Sequence, residues 1–200
     1  MTRNRIIYTS VFLIIVVIII YSLNGESPEA YQKTIIKARE KQDSFMRNSE
    51  ESPFVQHNVQ YHGLHYFEPD LKYKINARFE SIADKKIRKL PTSDNLEKEY
   101  LEYGYAHFEL GGRKEKLLIL ENVKEKLLFL AFGDATSANE TYGGGRYLEV
   151  THDGSNSILL DFNKAYNPYC AYTEGYSCPL PPRENLLEVA IKAGEKNYDH

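Results

Sequence analysis

Leu71, Tyr73, Ile75, Ala77 and Phe79 alternate with Lys72, Lys74, Asn76, Arg78 and Glu80. A period of two places successive side chains on opposite sides of an extended chain, so this stretch can bury its apolar set only as a half-buried strand. The same pattern returns over residues 103–110 and 114–120, and between them Gly111-Gly112 can take the positive φ values that a tight hairpin turn demands. Further strands are predicted at residues 126–132, 146–151, 157–162 and 187–192, with Asp153-Gly154 turning the middle pair. About seven short strands and few helices predict a mainly β chain, a single antiparallel barrel- or sandwich-like domain.

Two segments ahead of the strands follow other rules. Residues 6–23 are eighteen positions without a charge, dominated by Ile and Val. As a helix they would rise about 27 Å, close to the hydrocarbon core of a bilayer. Arg3 and Arg5 precede the run with no acid, which predicts a cytoplasmic tail and an uncleaved single-pass anchor from Ile6 to Leu23, because no small-x-small cleavage site follows. Next, Ser27-Pro28-Glu29 reads as an N-cap, a first-turn proline and an acid at the positive helix end. Tyr31, Ile35, Ala38 and Phe45 recur at helical spacing through about Asn48, and Ser52-Pro53 ends the pattern. The expected organisation is a tail and transmembrane anchor at 1–23, a helical stalk at 24–52 that docks one narrow apolar face, and a β-rich extracytoplasmic domain at 53–200. That domain would be periplasmic in a Gram-negative cell.

Charge excludes one class of partner. All 28 acidic residues lie beyond the apolar run, leaving that part at −5 with no basic block, so a nucleic-acid partner is not expected. Sixteen tyrosines without a tryptophan suit a β-rich domain with long ordered loops.

The chemistry-bearing residues gather late in the chain. In Thr141-Tyr-Gly-Gly-Gly-Arg-Tyr147, Gly143, Gly144 and Gly145 can turn N–H groups inward around an anion, Tyr142 adds an aromatic edge, and Arg146 offers a bidentate fork. The alternative is a glycine-rich entry to a strand, with Arg146 paired internally to Asp134 or Asp161. No Lys-Ser/Thr follows the glycines, so this is not a phosphate loop. Asp134 and Thr136, and Asp161, Asn163 and Tyr166 at the end of a predicted strand, complete the binding candidates; Asp161 and Asn163 equally suit local loop-fixing bonds. Cys170 and Cys178 leave three fates open: a disulfide, which an extracytoplasmic site favours, inert thiols, or reactive or metal-bound thiols. His57, His62 and His65 lack the spacing of a metal set, and neither a metal nor a cofactor is expected. Cys178-Pro-Leu-Pro-Pro182 is extended by its prolines and should cross the surface as a strap.

Taken together, Gly63-Leu-His-Tyr-Phe-Glu-Pro-Asp70, Ala77-Arg-Phe-Glu80, Asp134-Ala-Thr-Ser137, Glu140-Thr-Tyr-Gly-Gly-Gly-Arg-Tyr147, Asp161-Phe-Asn163, Ala165-Tyr-Asn-Pro168, Cys170-Ala-Tyr172, Cys178-Pro-Leu-Pro-Pro182 and Glu184-Asn185 resemble the bacterial family called domain of unknown function 1684, over roughly residues 35–195. The resemblance implies one compact domain and no established activity, so it transfers no catalytic residue. The family's pattern has a glycine soon after the Asp-Ala-Thr-Ser word, where this chain has Ala138-Asn139. The expected function is a membrane-anchored binding or structural module of the cell envelope, with an anionic or glycan ligand. The competing reading is a hydrolase-like enzyme using Asp134 or Asp161 with Arg146. Convergence of all three on an open cleft would favour the enzyme; mutual burial would favour scaffold.

Overall fold

The computed structural model describes residues 7, 8, 11–14 and 26–199. Of the expected anchor only Ile7, Tyr8 and residues 11–14 are among these, helical and exposed; the rest of the segment lies outside the described residues. Among the described residues no helix is long and apolar enough to cross a membrane.

Helix α1 (Pro28–Asn48) begins where the sequence signals it, Ser27 accepting from the Ala30 N–H with Pro28 in the first turn. Tyr31, Ile35 and Met46 are its buried residues, whereas Ala38, expected in the apolar stripe, faces solvent. A short helix α2 (Pro53–Gln56), capped by Ser52, brings Phe54 against Met46, Ala171 and Tyr172. The helical segment is therefore packed onto the β-domain along its length.

Seven antiparallel strands form one curled sheet, a half-barrel: β1 (Lys74–Ser81), β2 (Ile87–Pro91), β3 (Glu97–Leu110), β4 (Arg113–Asn122), β5 (Leu128–Phe132), β6 (Arg146–Val150) and β7 (Ser157–Asp161). Their order is β6-β5-β4-β3-β1-β7, and β2 pairs with the first half of β3. The β3–β4 hairpin turns on Gly111 and Gly112 at φ +60 and +76. Alternation along β4 sorts the interior: Leu117 and Ile119 enter the main core with Phe79, Phe108, Leu130, Phe132 and Leu160, while Leu118 and Leu120 join Leu90 and Tyr100 on the other face. Between Glu102 and Gly104 a bulge shifts the β3–β4 register, so Tyr100 faces one layer and Ala106 and Phe108 the other. Gly104 is required there, because a Cβ would lie 2.3 Å from the Phe79 ring.

Three expectations are corrected. Leu71 belongs to a 3-10 turn that precedes β1. Asp153-Gly154 does turn the chain, with Gly154 at φ +87, but it joins strands at opposite ends of the sheet: β6 pairs β5 and β7 pairs β1. The half-barrel thus curls until its two terminal strands approach without a ladder between them. Residues 187–192 keep the alternation, Leu187, Val189 and Ile191 inward, yet are no strand, and β2 takes the seventh place. The segment has only two backbone contacts to residues 133–135, Leu187 N–H to the Gly133 carbonyl (2.8 Å) and Ala135 N–H to the Val189 carbonyl (3.1 Å). Side chains meet Ile191, whose N–H donates to Asp134 and whose carbonyl accepts from Arg146.

Candidate functional site

Arg146 points from the first residue of β6 into the interior and is 1% exposed. One terminal nitrogen donates to Asp134 Oδ2 (2.8 Å) and to the Ile191 carbonyl (2.8 Å); the other donates to the carbonyls of Glu195 (3.2 Å) and Ala193. Asp134 Oδ1 accepts from the Thr136 N–H (2.8 Å) and hydroxyl (2.7 Å) and from the Ile191 N–H (3.2 Å). Carbonyls at every second residue of an extended chain point the same way, and here they meet a guanidinium instead of a neighbouring strand. Burial lowers the pKa of Arg146, against the pull of Asp134. Asn185, also buried, does similar service between β4 and β5: it accepts from the Leu118 N–H (2.7 Å) and donates to the carbonyls of Leu118 and Ala131 (both 2.9 Å).

The glycine word serves packing. A Cβ on Gly145, which has φ +85, would lie 2.5 Å from Pro181 and 2.7 Å from the Phe132 carbonyl; one on Gly144 would lie 2.5 Å from the Tyr142 ring. The proline strap can therefore cross directly over the loop. It is tied down by Leu180 N–H to the Pro91 carbonyl (2.8 Å), by Tyr147 OH to the Pro179 carbonyl (2.7 Å), and by the Cys170–Cys178 disulfide.

An open cleft of about 950 Å³ lies at the seam between β6 and β7. Ile35, Arg39 and Phe45 of α1 form one wall, Glu149 and Val150 of β6 with Leu159 of β7 another, and Tyr66, Tyr166, Tyr169 and Tyr176 ring it with aromatic surface. It exists because the sheet does not close: the outer edge of β6 is bridged at Tyr147↔Tyr166, and β7 reaches its one strand partner on the far side. Arg39 stacks over the Tyr66 ring at 4.4 Å and donates to the carbonyls of Phe67 (2.8 Å) and Asn163 (3.4 Å). Burial lowers the pKa of Arg39. Asp161, 5% exposed, accepts the Tyr31 hydroxyl at 2.5 Å, while Asn163 clamps the Asp70 main chain with two bonds of 2.9 Å.

Of the sequence candidates, Asp161, Asn163 and Tyr166 line this cleft; Asp134, Thr136, Tyr142, Gly143, Gly144, Gly145 and Arg146 do not. Cys178 lies in its wall with Pro179. Sequence reasoning passed over Arg39 and Tyr66, whose signals are weak: a lone cation on a helix face, and an aromatic inside a loop. Arg39 sits four residues after Ile35, on the buried side of α1, which was the available clue.

The sequence profile of a family described as "Protein of unknown function (DUF1684)" matches residues 59–196. No curated protein matches the chain. A solved relative is the NMR structure of an uncharacterized protein of Haloarcula marismortui, 34% identical, covering 84% of this chain and 95% of its own, with a TM-score of 0.64. A match across most of the β-domain, joined to that likeness, means that the chain belongs to the DUF1684 family.

Proposed function

We propose that this protein is a ligand-binding module of the cell envelope, and that its site is the cleft at the β6–β7 seam. The observation that carries the reading is the cleft itself: about 950 Å³, with tyrosines and aliphatic side chains around a few placed polar groups, the usual make-up of a small-molecule site. The hydrolase reading needs Asp134, Asp161 and Arg146 on one open surface, and among these only Asp161 lines the cleft. Residues 6–23 would hold the domain at a membrane with Arg3 and Arg5 inside. A disulfide suits an oxidising exterior, and a periplasmic reporter fused at residue 24 should be active if this orientation holds.

Leu159 tests the site, since it lines the cleft and is 46% exposed. Saturation-transfer NMR of the full-length protein in detergent micelles, against small sugars, carboxylates and amino acids, should find binders that Leu159→Arg displaces while circular dichroism stays unchanged. Binders indifferent to Leu159→Arg, or no binder at all, would refute the proposal.

A further inference from the structure

We infer that the cleft takes a neutral, extended peptide, which lies along β6 and adds a strand to the sheet where the half-barrel stays open; the inference rests on the cleft being a binding site. Main-chain polar groups of an antiparallel strand alternate between its two edges, so parity tells which residues face the seam. On β6, Tyr147 faces it: its N–H donates to the Tyr166 carbonyl (2.8 Å) and its carbonyl accepts from the Tyr166 N–H (3.0 Å). Glu149, two residues on, turns its N–H and carbonyl the same way. Its partner in that antiparallel register would be Lys164, but Lys164 lies in a 3-10 turn (Phe162–Lys164), and the pairing stops after one bridge. On β7, the Phe79 N–H donates to the Asn156 carbonyl (2.8 Å), and the register sets the main chain of Ile158 and Leu160 against β1. Ser157 and Leu159 therefore turn theirs to the seam. The Ser155 hydroxyl meets both the N–H (3.3 Å) and the carbonyl (3.2 Å) of Ser157. Among the described residues no such cap, and no strand, covers the main chain of Leu159 or Glu149 on that side.

Two sheet edges thus bring an N–H and a carbonyl each to one cleft, from residues that both line it and are both exposed. Another extended chain supplies the matching donors and acceptors, with the side chains between them left to the walls. Those walls are apolar where Leu159, Phe45 and the rings of Tyr66, Tyr166 and Tyr169 stand. Charge selects neither sign. Arg39 faces the carboxylates of Glu68 and Asp161, and Lys164 stands 3.6 Å from Asp161. Glu149 accepts from the Tyr166 hydroxyl (3.5 Å) and Lys98 donates to the Ser177 carbonyl (2.6 Å), which leaves one charge of each sign. A neutral segment of β-branched residues, which favour the extended chain, therefore fits without stranding a charge. The other open edge of the sheet is treated differently: β2 carries an exposed Lys89 and Pro91, and the strap meets it where the Pro91 carbonyl accepts from the Leu180 N–H.

The test titrates a capped pentapeptide, in which valine alternates with threonine, into the isotope-labelled full-length protein in detergent micelles, followed by NMR. Its fully N-methylated form and free valine are the controls. The pentapeptide should bind about ten-fold more tightly than either, the worth of one or two main-chain hydrogen bonds, and should slow amide exchange at Glu149. Glu149→Pro deletes the N–H that faces the seam and none that faces β5, a position at which an edge strand tolerates proline. It should lower pentapeptide affinity about ten-fold while circular dichroism stays unchanged. Should that variant misfold, amide exchange at Glu149 of the wild-type protein decides. Equal binding of the pentapeptide and its N-methylated form, unchanged exchange at Glu149, or full affinity in a folded Glu149→Pro would overturn the inference. If free valine binds and Leu159→Arg displaces it while the pentapeptide gains nothing over its N-methylated form, strand addition falls and the binding role stands. If nothing enters the cleft, both fall.

Discussion

Three carbonyls of one extended segment, those of Ile191, Ala193 and Glu195, turn toward the guanidinium of Arg146, while the Ile191 N–H turns toward Asp134. The ion pair thus stands in for part of a strand, which is why both residues are fully withdrawn from water, at 1% and 0% side-chain exposure. Such a pair is costly to break from one side, since the partner left behind is a buried, uncompensated charge. Arg146→Met should therefore destabilise the protein by about 3–5 kcal/mol, read as a lowered midpoint in urea unfolding. A loss under about 1 kcal/mol would mean that the segment finds other donors. The residue types of this network were visible in the sequence, and internal pairing of Arg146 with Asp134 was one of the two readings they allowed. What a linear pattern cannot carry is the third party: nothing in residues 187–195 says that its carbonyls will be met by a side chain some 45 positions earlier.

At the scale of elements, period and punctuation made the regular parts legible. Ser27-Pro28 started α1, Gly111-Gly112 turned β3 into β4, and the Ile75–Ala77–Phe79 alternation marked β1. Residues 187–192 misled because alternation reports which side faces the core, not whether a neighbouring strand is within reach. The opposite failure befell β2, an edge strand in which Ile87, Lys89 and Pro91 are exposed and only Leu90 is buried, so that Ile87 and Leu90, three residues apart, do not share a face. The loop at 134–145 holds a subtler case. Ala138 takes φ +63, held there by its N–H to the Thr141 carbonyl at 2.9 Å, so this chain keeps at an alanine the left-handed backbone that glycine adopts freely. An L side chain pays about 1–2 kcal/mol for that conformation, partly offset by its stiffer unfolded chain. Ala138→Gly should accordingly raise stability by about 0.5–1 kcal/mol, seen as a higher thermal midpoint. A fall would show that packing of the Ala138 methyl near Gly143, whose own Cβ would lie 3.3 Å away, outweighs the strain.

Over the whole molecule, the half-barrel leaves a gap at its seam, α1 forms one side of that gap, and the C-terminal segment returns beneath it, so the last residues join parts of the fold that are distant in sequence. Glu195 is where they meet. Its carboxylate, in a residue 1% exposed, accepts from the Asn167 N–H (3.1 Å) and amide (2.9 Å) and from the Tyr172 hydroxyl (2.7 and 2.9 Å). Burial raises its pKa from 4.5 to about 7, against the hydrogen bonds from Tyr172 and Asn167 and the charge of Arg146, which favour ionisation. A carboxyl whose folded pKa lies above its unfolded one binds its proton more tightly when folded. Its contribution is therefore complete below about pH 4.5 and lost as pH rises through about 7. The span corresponds to about 3 kcal/mol. Asp70, Asp94 and Asp153, held low chiefly by side-chain hydrogen bonds from Lys72, Thr92 and Ser155, act in the opposite sense, with stability lost only in stronger acid. They are exposed enough that solvent screens them. The thermal midpoint of the wild-type protein should therefore climb as pH is lowered from about 8 to about 5. It should then fall in stronger acid. In Glu195→Gln, which cannot ionise, the climb should disappear, and a calorimetric series in which wild type and variant keep the same slope would place the titrating group elsewhere.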